Sequence, residues 1–197
     1  MLKIGITGGI GSGKTTVCRL FELIGIPVFY ADEEARKIMD TDPALVAAIS
    51  ALFGRDIYKD HTLDRKHLGE IVFNAPDKLA QLNALVHPAT IEHADTWMAA
   101  QQNVPYALKE AAIFFESNSH LHMDVMIGVN APEEIRIERV IQRNHISREE
   151  VRQRMARQMN NEEKMSRCDY VIINDDRQAL IPQVLALHEL LKARSEG

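Results

Sequence analysis

Positive charge, cysteine and long apolar runs are all scarce in this chain of 197 residues. With 23 Lys and Arg against 28 Asp and Glu, the formal charge is −5. No basic excess exists to displace the counterions of a polynucleotide, which argues against a general nucleic-acid-binding role. Small anionic ligands stay open, because they need only a local positive site. The two cysteines, Cys18 and Cys168, lie far apart in sequence. They read as buried thiols in a reducing compartment, not as a disulfide framework. No apolar run approaches the roughly 20 residues of a membrane span. The start, "MLKIGITGG", turns to glycine too soon for a signal peptide. The expectation is therefore a soluble, cytoplasmic protein. Internal repeats and low-complexity linkers are lacking too. What remains is ordinary for a globular chain, 46% hydrophobic and 26% charged, with room for one sizeable core and one inserted subdomain.

Five β-rich runs are present: residues 2–6, 26–32, 104–111, 124–130 and 169–175. They are apolar without strict alternation, which suits a parallel sheet covered on both faces. From Gly13 the period changes, with Val17, Leu20, Phe21 and Ile24 at helical spacing before Gly25, a helix stop. Between the second and third runs lies a stretch that reads as helical throughout and is too long for a plain βα connection. Asp42 before Pro43 marks one helix start. Residues 63–73 and 77–102 supply further helices, and Trp97, the sole tryptophan, is expected in the core of this insert. Asn130 and Pro132 open another helix, "SREE" (147–150) is a capping box, and a last helix covers about residues 177–192. The fold class is α/β, a single domain over 1–197. The core comes from 1–32, 104–135 and 164–197, with a helical insert at 33–103 and a helical lid at 136–163.

The stretch "GITGGIGSGKTT" (5–16) carries the chemistry. Gly8, Gly13, Lys14 and Thr15 fit G-x-x-x-x-G-K-[ST] without mismatch, between a strand and an amphipathic helix. Glycines let successive N–H groups converge on an anion, and the helix adds the positive end of its dipole. Lys14 is placed to reach the β- and γ-phosphates, and the Thr15 hydroxyl to ligate Mg²⁺. This predicts binding of a nucleoside triphosphate through Gly9, Gly11, Ser12, Gly13, Lys14, Thr15 and Thr16.

A phosphate loop alone fits a small-molecule kinase, a GTPase switch or a subunit of a larger ATPase. The GTPase motifs D-x-x-G and N-K-x-D are both missing. A kinase needs a carboxylate near the acceptor hydroxyl, and Asp32 falls where the second strand should end. Asp32 also fits a helix N-cap for "EEARKIM", and the two roles are compatible. A kinase further needs cations for the transferring phosphoryl group. Arg136, Arg139 and Arg143 recur at i, i+3 and i+7, which a helix would gather on one narrow face. Arg148, Arg152, Arg154 and Arg157 read instead as a solvated face. "HLH" (120–122) reads as surface histidines, and Met155, Met159 and Met165 as packing.

Several segments together resemble the dephospho-coenzyme A kinase family over nearly the whole chain. They are "TGGIGSGKTT" (7–16), Asp32 with "EEAR", "LDRKHLGEIVF" (63–73), "LNALVHP" (82–88), "ERVIQRN" (138–144), "SREEVRQRMARQ" (147–158) and "CDYVIIND" (168–175). The resemblance implies a P-loop NTPase three-layer fold with strand order 2-3-1-4-5 and a closing lid. It implies ATP-dependent phosphorylation of the ribose 3′-hydroxyl of dephospho-coenzyme A, the last step of coenzyme A synthesis, with Mg²⁺. By that likeness Asp32 is the general base, and Lys14, Arg143 and Arg139 steady the γ-phosphoryl group. Thr7, Arg65, His87 and Glu110 would face the acceptor, and Asn174 the adenine. Expected partners are the two small-molecule substrates, for a monomer or weak homo-oligomer without nucleic-acid or membrane contact. The chain departs from the family pattern after the third strand, where "EAAIFFE" puts Glu110 for an aspartate and Ala112 for a proline. Arg136 and Asn144 stand where glutamine and aspartate are common. A nucleoside or nucleotide kinase and a nucleotide-dependent regulatory module are the competing expectations.

Overall fold

The computed structural model describes residues 1–73 and 75–196. In chain order the elements begin with β1 (Leu2–Thr7), α1 (Lys14–Leu23) and β2 (Val28–Tyr30). There follow α2 (Ala31–Thr41), α3 (Pro43–Phe53), β3 (Tyr58–Lys59), β4 (Thr62–Leu63), α4 (Arg65–Phe73) and α5 (Pro76–Ala99). The remainder is β5 (Tyr106–Glu110), β6 (Val125–Asn130), α6 (Glu133–Asn144), α7 (Arg148–Met155), α8 (Asn161–Ser166), β7 (Tyr170–Ile173) and α9 (Leu180–Glu196). These form two units, Met1–Tyr30 with Trp97–Gly197, and Ala31–Thr96. No described helix is long and apolar enough to cross a membrane.

The first unit is built on a five-stranded sheet in the order β2-β5-β1-β6-β7, every pairing parallel. Counted along the core this is 2-3-1-4-5, the expected order. Alternation sends Ile4, Ile6, Ile127 and Val129 to one face, where α1 and α9 cover them through Val17, Phe21, Val184, Leu187 and Leu191. Phe21 meets Tyr106 edge-on at 6.3 Å between centroids, and the Tyr106 hydroxyl lies 2.7 Å from His188 Nδ1. On the opposite face Gly128 leaves room for Met165 of α8, whose sulfur would lie 2.6 Å from an added Cβ. Helix α1 stops in a Schellman motif: Gly25 N–H reaches Glu22 O at 2.9 Å and Ile26 N–H reaches Phe21 O at 3.0 Å. Gly25 follows the cap residue Ile24 in the left-handed region, φ 86°.

Three boundaries differ from expectation. Strand β2 ends at Tyr30, two residues before Asp32, so Asp32 follows the carboxyl end of the strand and lies in the first turn of α2. Asp32, Glu33 and Glu34 there complement the positive end of the helix. Strand β7 ends at Ile173, because the Asp175 carboxylate accepts from the N–H groups of Arg177 and Gln178 at 3.0 and 2.8 Å. Helix α9 accordingly starts at Leu180. Asn130 does not cap α6; its side-chain oxygen accepts from Asn161 Nδ2 at 2.8 Å, and Pro132 takes the N-cap position. Trp97 belongs to the first unit, its ring 5.5 Å from that of Phe29 on β2, which corrects its placement in the insert core.

The second unit holds α2, α3, α4 and most of α5 around Ile38, Leu45, Ile49, Ile57, Leu63, Leu68, Leu82 and Val86. Asp42 caps α3 as expected, accepting from Ala44 and Leu45 N–H at 2.9 and 3.0 Å. Strands β3 and β4 pair as a two-residue hairpin that the sequence reading lacked, with Asp60 and His61 at φ 48° and 63°.

Candidate active site

The chain leaves β1 at Thr7, fully buried, and turns through the glycine-rich loop into α1. Two of its glycines are demanded by geometry. Gly11 (φ 79°) packs so closely that an added Cβ would lie 2.3 Å from Arg136 O. Gly13 (φ 91°) would place one 2.1 Å from Asn174 Nδ2. Gly13 is also the N-cap of α1 and offers no side-chain cap, so the first-turn N–H groups and the dipole stay available to an anion. Ser12 N–H closes the turn on Gly9 O at 3.1 Å. Lys14 is buried, its ammonium donating to Gly8 O at 3.0 Å and lying 3.7 Å from Glu110 Oε1. Glu110 therefore lies beside the lysine of the phosphate loop. Thr15 and Thr16 are exposed at the start of α1.

Asn174, just beyond β7, braces the loop from below: its Nδ2 donates to Ser12 O at 2.8 Å. Arg139 of α6 holds the same region. Its Nη1 lies 3.5 Å from both Gly11 O and Ser12 O, and its Nη2 donates to Asn174 O and Oδ1 at 3.2 Å and to Asp176 Oδ1 at 2.5 Å. Arg136 is buried, giving its Nε–H to Ala131 O at 3.1 Å, and burial pulls its pKa below the usual arginine value. Arg143 is exposed, with its Nε–H on Asn144 Oδ1 at 2.8 Å. Arg136 and Arg139 thus both lie against the loop, Arg136 Nη1 standing 2.4 Å from where a Cβ on Gly9 would be, while Arg143 is exposed. On α7 the solvated reading holds for Arg148, which pairs with Glu134 at 2.5 Å, and the Ser147–Glu150 capping box forms.

Lys164, Glu116 and Gln158, to which the sequence gives no role, hold the neighbourhood of the loop. Lys164 of α8, fully buried, donates to Ala112 O at 2.6 Å and to Glu116 Oε1 at 2.8 Å. Gln158 accepts from Ile10 N–H at 3.0 Å. A long-range pair of this kind leaves no local pattern in the sequence.

In the second unit, Asp32 is exposed in the first turn of α2. Arg65 donates to Asp40 Oδ2 at 2.6 Å and Arg36 O at 2.7 Å. His87 sits half-buried on α5, and desolvation lowers its pKa, which keeps the imidazole neutral near pH 7. The first unit therefore brings together Thr7, the loop from Gly9 to Thr16, Glu110, Arg139 and Asn174. Asp32, Arg65 and His87 belong to the second.

The family model described as dephospho-CoA kinase matches residues 2–179. The dephospho-CoA kinase of Bacteroides fragilis strain YCH46 is 39% identical over 186 residues, 94% of this chain and 91% of that protein. The dephospho-CoA kinase of Salinibacter ruber is 42% identical over 178 residues, 89% of each. The solved structure of dephospho-CoA kinase from Campylobacter jejuni superimposes with a TM-score of 0.72 at 27% identity, covering 98% of both chains.

Proposed function

The chain belongs to the dephospho-CoA kinase family, and on that premise we propose that it moves the γ-phosphoryl group of ATP to the ribose 3′-hydroxyl of dephospho-CoA, giving CoA and ADP. The observation that carries the donor half is the loop: left-handed Gly11 and Gly13, an uncapped α1 and Lys14 folded against Gly8. Such a loop holds phosphates by backbone N–H groups and a lysine. In this reading Lys14 shifts from Gly8 O toward the β- and γ-phosphates, and Glu110 limits how far it swings. Arg143, being exposed, is the arginine with reach to the transferring group, and Arg139 supports the loop from its flank. Thr15 presents a hydroxyl at the first turn of α1, a hard oxygen donor suited to Mg²⁺ that also takes phosphate oxygens and water. When bound, that ion would neutralise charge developing on the phosphates.

On the acceptor side Asp32 takes the proton of the 3′-hydroxyl. Thr7, Arg65, Glu110 and neutral His87 orient the acceptor, with residues 33–103 as the acceptor-binding insert and 136–163 as the lid. Asn174 stands at the floor of the nucleotide site on the adenine side. The test is ADP release with dephospho-CoA, adenosine, AMP, CMP and shikimate in turn. Turnover is expected with dephospho-CoA well above the others. Comparable turnover of a nucleoside or nucleotide would move the chain to another kinase specificity. Asp32→Asn is expected to lower kcat by at least about 10²-fold while ATP still binds; an unchanged kcat would leave Asp32 a helix-turn carboxylate only.

A further inference from the structure

We infer that Gln158 is a positioning residue for phosphoryl transfer: it holds one peptide group of the phosphate loop in orientation without touching a phosphate. The peptide between Gly9 and Ile10 is fixed at both ends. Its carbonyl, Gly9 O, accepts from Ser12 N–H at 3.1 Å, and its N–H, on Ile10, donates to Gln158 Oε1 at 3.0 Å. Because the peptide is planar and its C=O and N–H point in opposite directions, the outward hold on the N–H aims the carbonyl inward at Ser12. If the outward hold is lost, that group can rotate and turn carbonyl lone pairs toward the site where N–H groups should converge. Gly9, lacking a side chain, offers little resistance to such rotation.

The hold is useful only if Gln158 is itself stationary, and the structure supplies the anchor. The Ile10 side chain packs against Ile137, Val140 and Val151, with Ile141, Ile146 and Met155 around them, so α6 and α7 grip the loop tip. The residue after Gln158 is tied down as well: Met159 N–H donates to Glu116 Oε1 at 2.8 Å. Glu116 in turn accepts from Lys164, whose ammonium also donates to Ala112 O beyond β5. Thr7 Oγ1, at the end of β1, reaches the same carbonyl at 3.4 Å. Residues 158–164, at the C-terminal end of the lid segment, thus stand as a post between the phosphate loop and the segment after β5, with Gln158 as the contact to the loop.

The role rests on the kinase reading, so the test measures ATP affinity without any acceptor, which separates its failure from a failure of acceptor assignment. Gln158→Met keeps length and shape but removes the oxygen acceptor; Gln158→Glu keeps the acceptor and adds a charge. For Gln158→Met we expect ATP Kd by calorimetry to rise about tenfold, the equivalent of one lost buried hydrogen bond, with Tm lower by only a few degrees. That defect should be independent of salt, whereas any defect of Gln158→Glu should shrink as salt screens its charge. In turnover, KM for ATP should rise in Gln158→Met while KM for dephospho-CoA holds. Wild-type ATP affinity in Gln158→Met would overturn the inference, as would a salt-independent loss of equal size in both variants. If Gln158→Met fails to fold, recovery of affinity by Gln158→Glu at high salt supports the role, and its absence refutes it.

Discussion

Replacing Lys164 by methionine removes one end of an ion pair whose lysine side chain is 0% exposed and whose Glu116 partner is 23% exposed. Deleting one partner of a buried pair costs about 3–5 kcal/mol, because the other charge is left without compensation. Glu116 keeps the Met159 N–H and part of its hydration, so the low end, about 3 kcal/mol, applies here. Ala112 O loses its ammonium donor but retains Thr7 Oγ1 at 3.4 Å, which adds little. At about 2–4 °C per kcal/mol for a chain of this size, the melting temperature should fall by roughly 6–12 °C. Circular-dichroism melts at pH 7 measure it, and a cycle with Glu116→Gln isolates the pair: the double variant should lose clearly less than the sum of the singles. Burial pushes the Glu116 carboxyl up, yet hydrogen bonds from Lys164 and Met159 N–H outweigh it and hold the pKa below 4.5. A depressed folded pKa gives stability that is present above the unfolded value and lost as pH falls through the folded one. The wild type should therefore shed this increment below about pH 4.5, and Lys164→Met should not. A melting temperature within about 2 °C of wild type at pH 7 would refute the reasoning.

Gly13→Ala should abolish tight ATP binding, because the residue sits at φ 91° and the new Cβ would lie 2.1 Å from Asn174 Nδ2. Titration of ATP decides it, and near-native affinity would mean the loop tolerates a rearranged Asn174. Arg143→Ala should lower kcat by roughly 10²-fold or more, with ATP affinity and Tm close to wild type, since its side chain is exposed and bonds only to Asn144 among the described partners. Unchanged turnover would take Arg143 out of the site.

Local signals carried much of this structure. Each β-rich run became a strand of the sheet, and Asp42 with Pro43 and Ser147 with Glu150 capped helices, because those contacts span three residues or fewer. The glycine loop was legible for the same reason: its spacing is its geometry. Asp32 falls on the helical side because a strand-to-helix boundary depends on which backbone bonds win, and three acidic residues tipped it to helix. The arginines of α6 were legible as a face but not as separate roles, since periodicity says which residues share a side and not what packs there. Gln158, Glu116 and Lys164 escaped because their partners lie between 43 and 148 residues away in the chain. Only the fold brings them together.

The packing of Trp97 on Phe29 makes the protein its own optical reporter. With one indole in the chain, tryptophan fluorescence arises at a single place, beside a three-residue strand at the margin of the sheet. Phe29 is only 1% exposed, so the ring beside it senses an apolar wall for as long as β2 stays docked on β5. Emission should then shift to the red as soon as that short strand detaches, ahead of the loss of helical signal if the margin unravels before the centre. The same indole gives a time-resolved view of when the margin closes during refolding, without any introduced label.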